Sequence, residues 1–136
     1  MPTIFQDPYL IVQLQAAQGY VRLNRTAAPF PSISEIEESF LKVERAVKTK
    51  AASARGLLYD TRLGPLSTDP LLLQAIVMAS QRVAARFERN ALLVQSALGS
   101  LQVDRLQRLH EAQRLIAFHD EAEAVAWVTT AAPKAR

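Results

Sequence analysis

Residues 56–60, Gly-Leu-Leu-Tyr-Asp, form a short apolar run without polar alternation. Alternation marks a strand with one wet face, so its absence predicts a strand buried on both faces, at the centre of a sheet. The next ten residues are equally specific. Residues 61–68 are rich in turn formers, and Asp69-Pro70 matches an N-cap residue followed by proline at the first helical position, where the missing N–H costs nothing. The helix is expected to run to about Glu88, with Leu72, Ile76, Ala79 or Ser80, Val83 and Phe87 facing inward. Arg82, Arg86 and Arg89 lie toward its C-terminal end, where the dipole favours cations. Such strand-loop-helix junctions are where open α/β sheets present their functional groups.

The rest of the chain builds the sheet outward from this strand. Residues 9–15 end in alternation, Val12 and Leu14 against Gln13 and Gln15, and residues 19–25 repeat the pattern beyond Gln18-Gly19, which predicts an antiparallel hairpin. Residues 3–5 can add an edge piece, stopped at Asp7-Pro8 because proline cannot donate to a ladder. Two prolines in residues 27–32 end the hairpin. A helix comes next, with a capping box at either Ser34/Glu37 or Ser32/Glu35 and an apolar stripe of Ile36, Phe40, Val43 and Val47. Residues 90–96 read as another inner strand, 98–112 as a helix, and 114–119 as the last strand. Asp120 and Glu123 then repeat the cap spacing and open a terminal helix carrying Ala122, Val125, Trp127 and Val128.

The order β-β-α-β-α-β-α-β-α calls for an α/β fold: one domain over residues 1–136, with a structured body of about residues 3–130 and a frayed tail. Its sheet is mixed and mostly parallel, with four to five strands, an N-terminal hairpin and about four helices. At 49% apolar and 21% charged residues, the chain can build a core without disulfides or a structural metal. The absence of cysteine excludes a thiol nucleophile, a thiolate zinc site and an iron–sulfur cluster. The first residues show no basic segment followed by an apolar core, and no apolar block approaches the ~20 residues of a membrane span, so a cytoplasmic protein is expected. The net charge of +3 is scattered along the chain, which bears on solubility more than on nucleic-acid binding.

Side chains with chemistry are few. His110 and His119, nine residues apart, have no recognisable ligand spacing, so no metal is expected. Asp60 and Asp69 could imitate a carboxylate pair, but no nucleophile or phosphate cradle lies between them, so neither enzymatic activity nor a cofactor is expected. Arg82, Arg86, Arg89, Arg105, Arg108 and Arg114 could share a surface. Asp104 and Glu111 interrupt it, and it lacks aromatics for base stacking, so no nucleic-acid partner is expected. Trp127 is either a core residue or an interface anchor.

The element order, the stretch from Gly56 to Leu73 and the ending Phe118-His119-Asp120-Glu121-Ala122-Glu123-Ala124-Val125-Ala126-Trp127-Val128 resemble the STAS and SpoIIAA-like group of small α/β domains, which includes bacterial anti-sigma-factor antagonists. In those antagonists an Asp ends the central strand and a phosphorylatable Ser or Thr opens the next helix. The resemblance therefore implies that Asp60 ends the strand and that Ser67 and Thr68 are candidate phosphoacceptors. This chain departs from the family's D-S-S-G pattern, since Ser67-Thr68 is followed by Asp69-Pro70. Capping and solvating the helix start is the commoner role for such hydroxyls.

The resulting expectation is a non-enzymatic regulatory or scaffolding module, a signalling-type domain that binds a partner protein through Asp60, Thr61, Arg62, Leu63, Leu66, Ser67, Thr68 and Asp69. Leu63 and Leu66 would be apolar anchors, and Arg62 would set orientation. The alternative is a small-molecule or lipid-binding domain, implied by the lipid-transfer-like branch of the same resemblance. Homodimerisation through a sheet edge or helix leaves no mark in composition.

Overall fold

The computed structural model describes residues 2–65, 68–95 and 116–130. The described elements are β1 (Thr3–Gln6), β2 (Leu10–Gln15), β3 (Tyr20–Arg25), α1 (Ile33–Lys50), β4 (Gly56–Asp60), α2 (Pro70–Ala84), β5 (Arg89–Leu93), β6 (Ile116–Phe118) and α3 (Glu121–Thr129). The strands form one mixed sheet whose spatial order equals chain order, β1-β2-β3-β4-β5-β6. β1, β2 and β3 pair antiparallel, and β3 to β6 pair parallel.

This order determines where the helices go. Right-handed crossovers that always step in the same direction place their helices on the same face of the sheet. α1 and α2 accordingly pack side by side on one face, over Leu10, Val12, Val21, Leu23, Leu57, Tyr59 and Leu92. The opposite face is covered by α3, whose Ala124 and Val128 sit on Tyr20, Leu58, Ala91 and Leu93. β4 is thus buried on both sides, as its apolar run requires. No helix among the described residues is long and apolar enough to cross a membrane.

The sheet has six strands rather than four to five, because residues 3–6 pair with β2, across a register shift between Thr3 and Phe5, and the sheet extends to β6 at its far edge. Three helices are described rather than about four. The helix expected over residues 98–112 lies outside the described residues.

Cap chemistry sets the helix boundaries. Ser32 caps α1 by accepting the Glu35 N–H at 3.2 Å, the earlier of the two registers. Asp69 accepts Leu71 N–H at 2.9 Å and Leu72 N–H at 3.4 Å, with Pro70 at the first position of α2. Asp120 caps α3 by accepting Ala122 N–H at 2.8 Å and Glu123 N–H at 3.3 Å. α2 ends at Ala84, four residues short of the expected Glu88. The N–H groups of Arg86 and Phe87 reach back three residues, to Val83 and Ala84, tightening the chain. That turn drops Phe87 into the core and lets Glu88 N–H bond Arg55 O at 2.8 Å, which aligns β5 beside β4.

Candidate functional site

The loop after β4 leaves the carboxyl edge of the parallel strands, where side chains of alternate β4 positions diverge. Tyr59 points to the α1/α2 face and Asp60 to the α3 face, so the two sides of this edge carry different chemistry.

On the α3 face lies a four-membered charge cluster. Asp60 Oδ2 accepts from Arg22 Nη2 at 2.8 Å and Arg62 Nη2 at 2.9 Å, while Oδ1 accepts from Arg62 Nε at 3.1 Å and Arg62 N–H at 3.0 Å. Glu121, the first residue of α3, takes Arg22 Nη2 at 2.8 Å and Arg62 Nη2 at 2.6 Å on a single oxygen. Arg22 is held from behind by Asn24, whose amide donates to Gln13 Oε1 and Ile11 O at 3.2 Å each. Two arginines and two carboxylates balance, so the cluster is electroneutral.

These contacts set the protonation states. Burial pushes the Asp60 carboxyl up, but the side-chain and backbone hydrogen bonds from Arg62, with that from Arg22, outweigh it and leave its pKa lowered. The hydrogen bond from Arg22 leads the causes that lower the pKa of Glu121. Burial works against the charge on Arg22, yet its bonds to Glu121 and Asp60 raise its pKa overall, and Arg62 is raised chiefly by its bond to Asp60. A depressed carboxylate with four donors around it is a poor proton acceptor. The cluster fastens the loop to the start of α3.

The loop itself is pinned at its start. Thr61 Oγ1 and N–H both donate to Leu93 O, at 2.9 and 3.0 Å, and Gly64 N–H closes a turn on Thr61 O at 3.0 Å. Leu63 sits at the turn and is 72% exposed. Leu66 and Ser67 lie outside the described residues. Thr68 is exposed, and Asp69 is the helix cap. Asp60 and Asp69 are thus engaged in separate structures, one in the ion cluster and one at the start of α2.

On the α1/α2 face the same edge holds Arg25 and Tyr59. Arg25 is 6% exposed, its guanidinium lies 4.5 Å from the Phe30 ring centroid, and Nη2 donates to Ala28 O at 3.3 Å. Tyr59 is fully buried beside it. Burial, partly opposed by the charge of Arg25, raises the pKa of its phenol, which stays neutral. Among the described residues, neither Arg25 Nε nor the Tyr59 hydroxyl has a hydrogen-bond partner of good geometry.

Three of these residues carry no site signal that the sequence pattern singles out: Arg22, Arg25 and Glu121. For Arg25 a clue exists, because it follows Val21 and Leu23 on the core-facing side of β3's alternation. Arg22 and Glu121 are 99 positions apart and become neighbours only through the fold.

His119 is exposed, and no cluster of metal-ligating side chains occurs among the described residues. His110 is outside them, as are Arg105, Arg108 and Arg114. Arg86 and Arg89 face different ways: Arg86 pairs with Glu44 of α1 at 3.5 Å, and Arg89 lies 4.1 Å from the Trp127 ring centroid on the α3 face. Trp127 is half-buried and donates Nε1–H to Asn90 O at 3.1 Å.

No family model, no curated protein and no solved structure matches this chain.

Proposed function

We propose that the chain is a non-enzymatic regulatory or scaffolding module that binds a partner protein through residues 60–69 and the first turn of α2. The observation that carries this reading is the exposure of two leucines on that surface, Leu63 at 72% in the loop and Leu71 at 65% in the first helical turn. Both stand on a fixed base, Leu63 directly after the Thr61 anchor and the Asp60–Arg62 clamp, and Leu71 on the capped helix start. Apolar groups held on a rigid base lose little conformational entropy on binding. Arg62 and Glu121, both partly exposed, flank the loop and orient an incoming surface electrostatically.

From Leu71 the apolar surface continues into a groove of about 640 Å³ between α1 and α2, lined by Ile33, Ala75 and Met78 and edged by Glu37 and Arg82. A partner's amphipathic segment fits a groove of this composition. The resemblance to anti-sigma-factor antagonists, carried by the sequence features alone, accords with a partner-binding role. A small apolar ligand is the second reading. It finds room beside Arg25 rather than in the middle of the core, which Phe40 and Tyr59 fill.

Affinity capture with the native chain and with Leu63→Asp/Leu71→Asp tests the surface. The substituted chain is expected to keep its circular dichroism and lose the partner. Capture of the same partners by both chains overturns the reading.

A further inference from the structure

We propose that the groove between α1 and α2 binds a second copy of this chain, the two α2 helices packing antiparallel about a two-fold axis level with the Ile76–Val77 peptide. The proposal rests on the partner-binding reading, shares Leu71 with it, and names the partner of its helical half. Leu63 lies in the loop, outside the groove.

The surface is an apolar stripe along one side of a helix. Leu71, Ala75, Met78 and Arg82 follow one another at spacings of four, three and four residues, so they share one side of α2. All four line the groove, with Ile33 of α1 beside them. Leu71, at 65% exposure, and Met78, at 49%, leave a patch open on either side of Ala75.

The stripe reads the same from both ends. Reversed about its midpoint, Met78 of one copy falls opposite Ala75 of the other, a long side chain against a small one, as interdigitating helices require. Leu71 falls opposite Arg82, whose alkyl stem can cover it. Charge then fixes the direction. Asp69 places a carboxylate at the N-terminal end of α2, and Arg82, exposed and in no ion pair among the described residues, lies near the other end. Antiparallel pairing brings each Arg82 to the Asp69 end of the second copy and opposes the helix dipoles, whereas parallel pairing would set Arg82 against Arg82. The other route to self-association, the outer edge of β1, is obstructed by the register shift between Thr3 and Phe5 and by Lys50, whose Nζ donates to Ile4 O at 3.3 Å.

α2 has 15 residues, about 22 Å of helix. A contact of that length along one helix and the flank of another is small beside the about 800 Å² per partner of a stable complex, so the association is weak. Sedimentation equilibrium is expected to show a monomer–dimer equilibrium with a Kd of about 10–200 µM. Met78→Asp and Arg82→Glu, both at exposed positions, should each weaken it at least fivefold with unchanged circular dichroism. Leu63→Asp should leave the dimer intact, so its effect on the capture of other proteins separates the two readings. Because the chain has no cysteine, Met78→Cys should oxidise to a covalent dimer at least tenfold faster than Lys42→Cys, which is exposed and paired with Glu38 away from the groove.

A native chain that stays monomeric up to about 500 µM overturns the pairing, whether another segment of this chain or a different protein covers the groove. Dimers that survive Met78→Asp, are lost in Leu63→Asp, or cross-link equally through the two cysteine variants overturn the location. Dimers unweakened by Arg82→Glu overturn the antiparallel register.

Discussion

The backbone carbonyl of Val128, in the last turn of α3, occupies the place that a β-carbon on Gly56 would need. α3 can lie flat on β4 only because position 56 has no side chain, and the contact is with backbone, which cannot rotate away. Gly56→Ala should therefore lift the end of α3 and cost about 1–3 kcal/mol, the usual range for forcing a methyl group into a packed interior. Urea unfolding followed by the fluorescence of Trp127, the chain's single tryptophan, checks this. An unchanged midpoint would mean that α3 is not seated on the strand.

Trp127 is the second fastening of α3. Its indole N–H reaches Asn90 O, and the Arg89 guanidinium stacks on its ring. Trp127→Phe keeps an aromatic face for Arg89 but leaves the carbonyl without that donor. It is expected to cost about 1 kcal/mol, the net worth of a typical hydrogen bond, read as a lower midpoint in denaturant unfolding followed by circular dichroism.

The charge cluster predicts a pH dependence of definite sign. The pKa of Asp60 is lower folded than in an unfolded chain, where an aspartate titrates near about 3.9. The folded state therefore holds fewer protons through that range. The stabilisation is complete above about pH 5 and is lost as the pH falls through the unfolded and then the folded value. Asp60→Asn, which leaves a largely buried Arg22 short of a partner, should cost about 1–3 kcal/mol at pH 7. The gap between variant and native protein should narrow on acidification. Glu121→Gln shares the sign, but its carboxylate is 47% exposed and screened by water, so it should cost only about 0.5 kcal/mol. Melting curves at neutral and acid pH separate the two.

Periodicity and cap chemistry make much of this architecture readable from the sequence. The unbroken apolar run of β4 implies cover on both faces, and Asp69-Pro70 and Asp120 mark helix starts that the side chains do cap. Ser32 and Ser34 offer two starts for α1. Local spacing cannot choose between them, because the choice depends on where Phe30 packs against Tyr9 and Phe40. The loop after β4 is recognisable as special, but the reasons lie elsewhere in the chain. Arg22 with Glu121, Gly56 with Val128, and Arg25 with the walls of its cleft are tertiary pairings with no local signature. Asp60 looks like an available carboxylate in the sequence; folding surrounds it with donors from β3 and from its own loop.

Leu63 and Leu71 give the sharpest separation between folding and binding. Each is mostly solvent-exposed and outside the core clusters, so a charge there disturbs little packing. Leu63→Asp and Leu71→Asp should each shift stability by no more than about 0.5 kcal/mol, as surface substitutions usually do. An aspartate in a partner's apolar pocket would instead be buried without a counter-charge, and its cost would emerge as faster dissociation. Denaturant unfolding beside partner capture distinguishes the cases. Intact stability with lost capture marks the two leucines as contact residues, whereas a marked loss of stability would mean that they support the fold and that the partner engages another face.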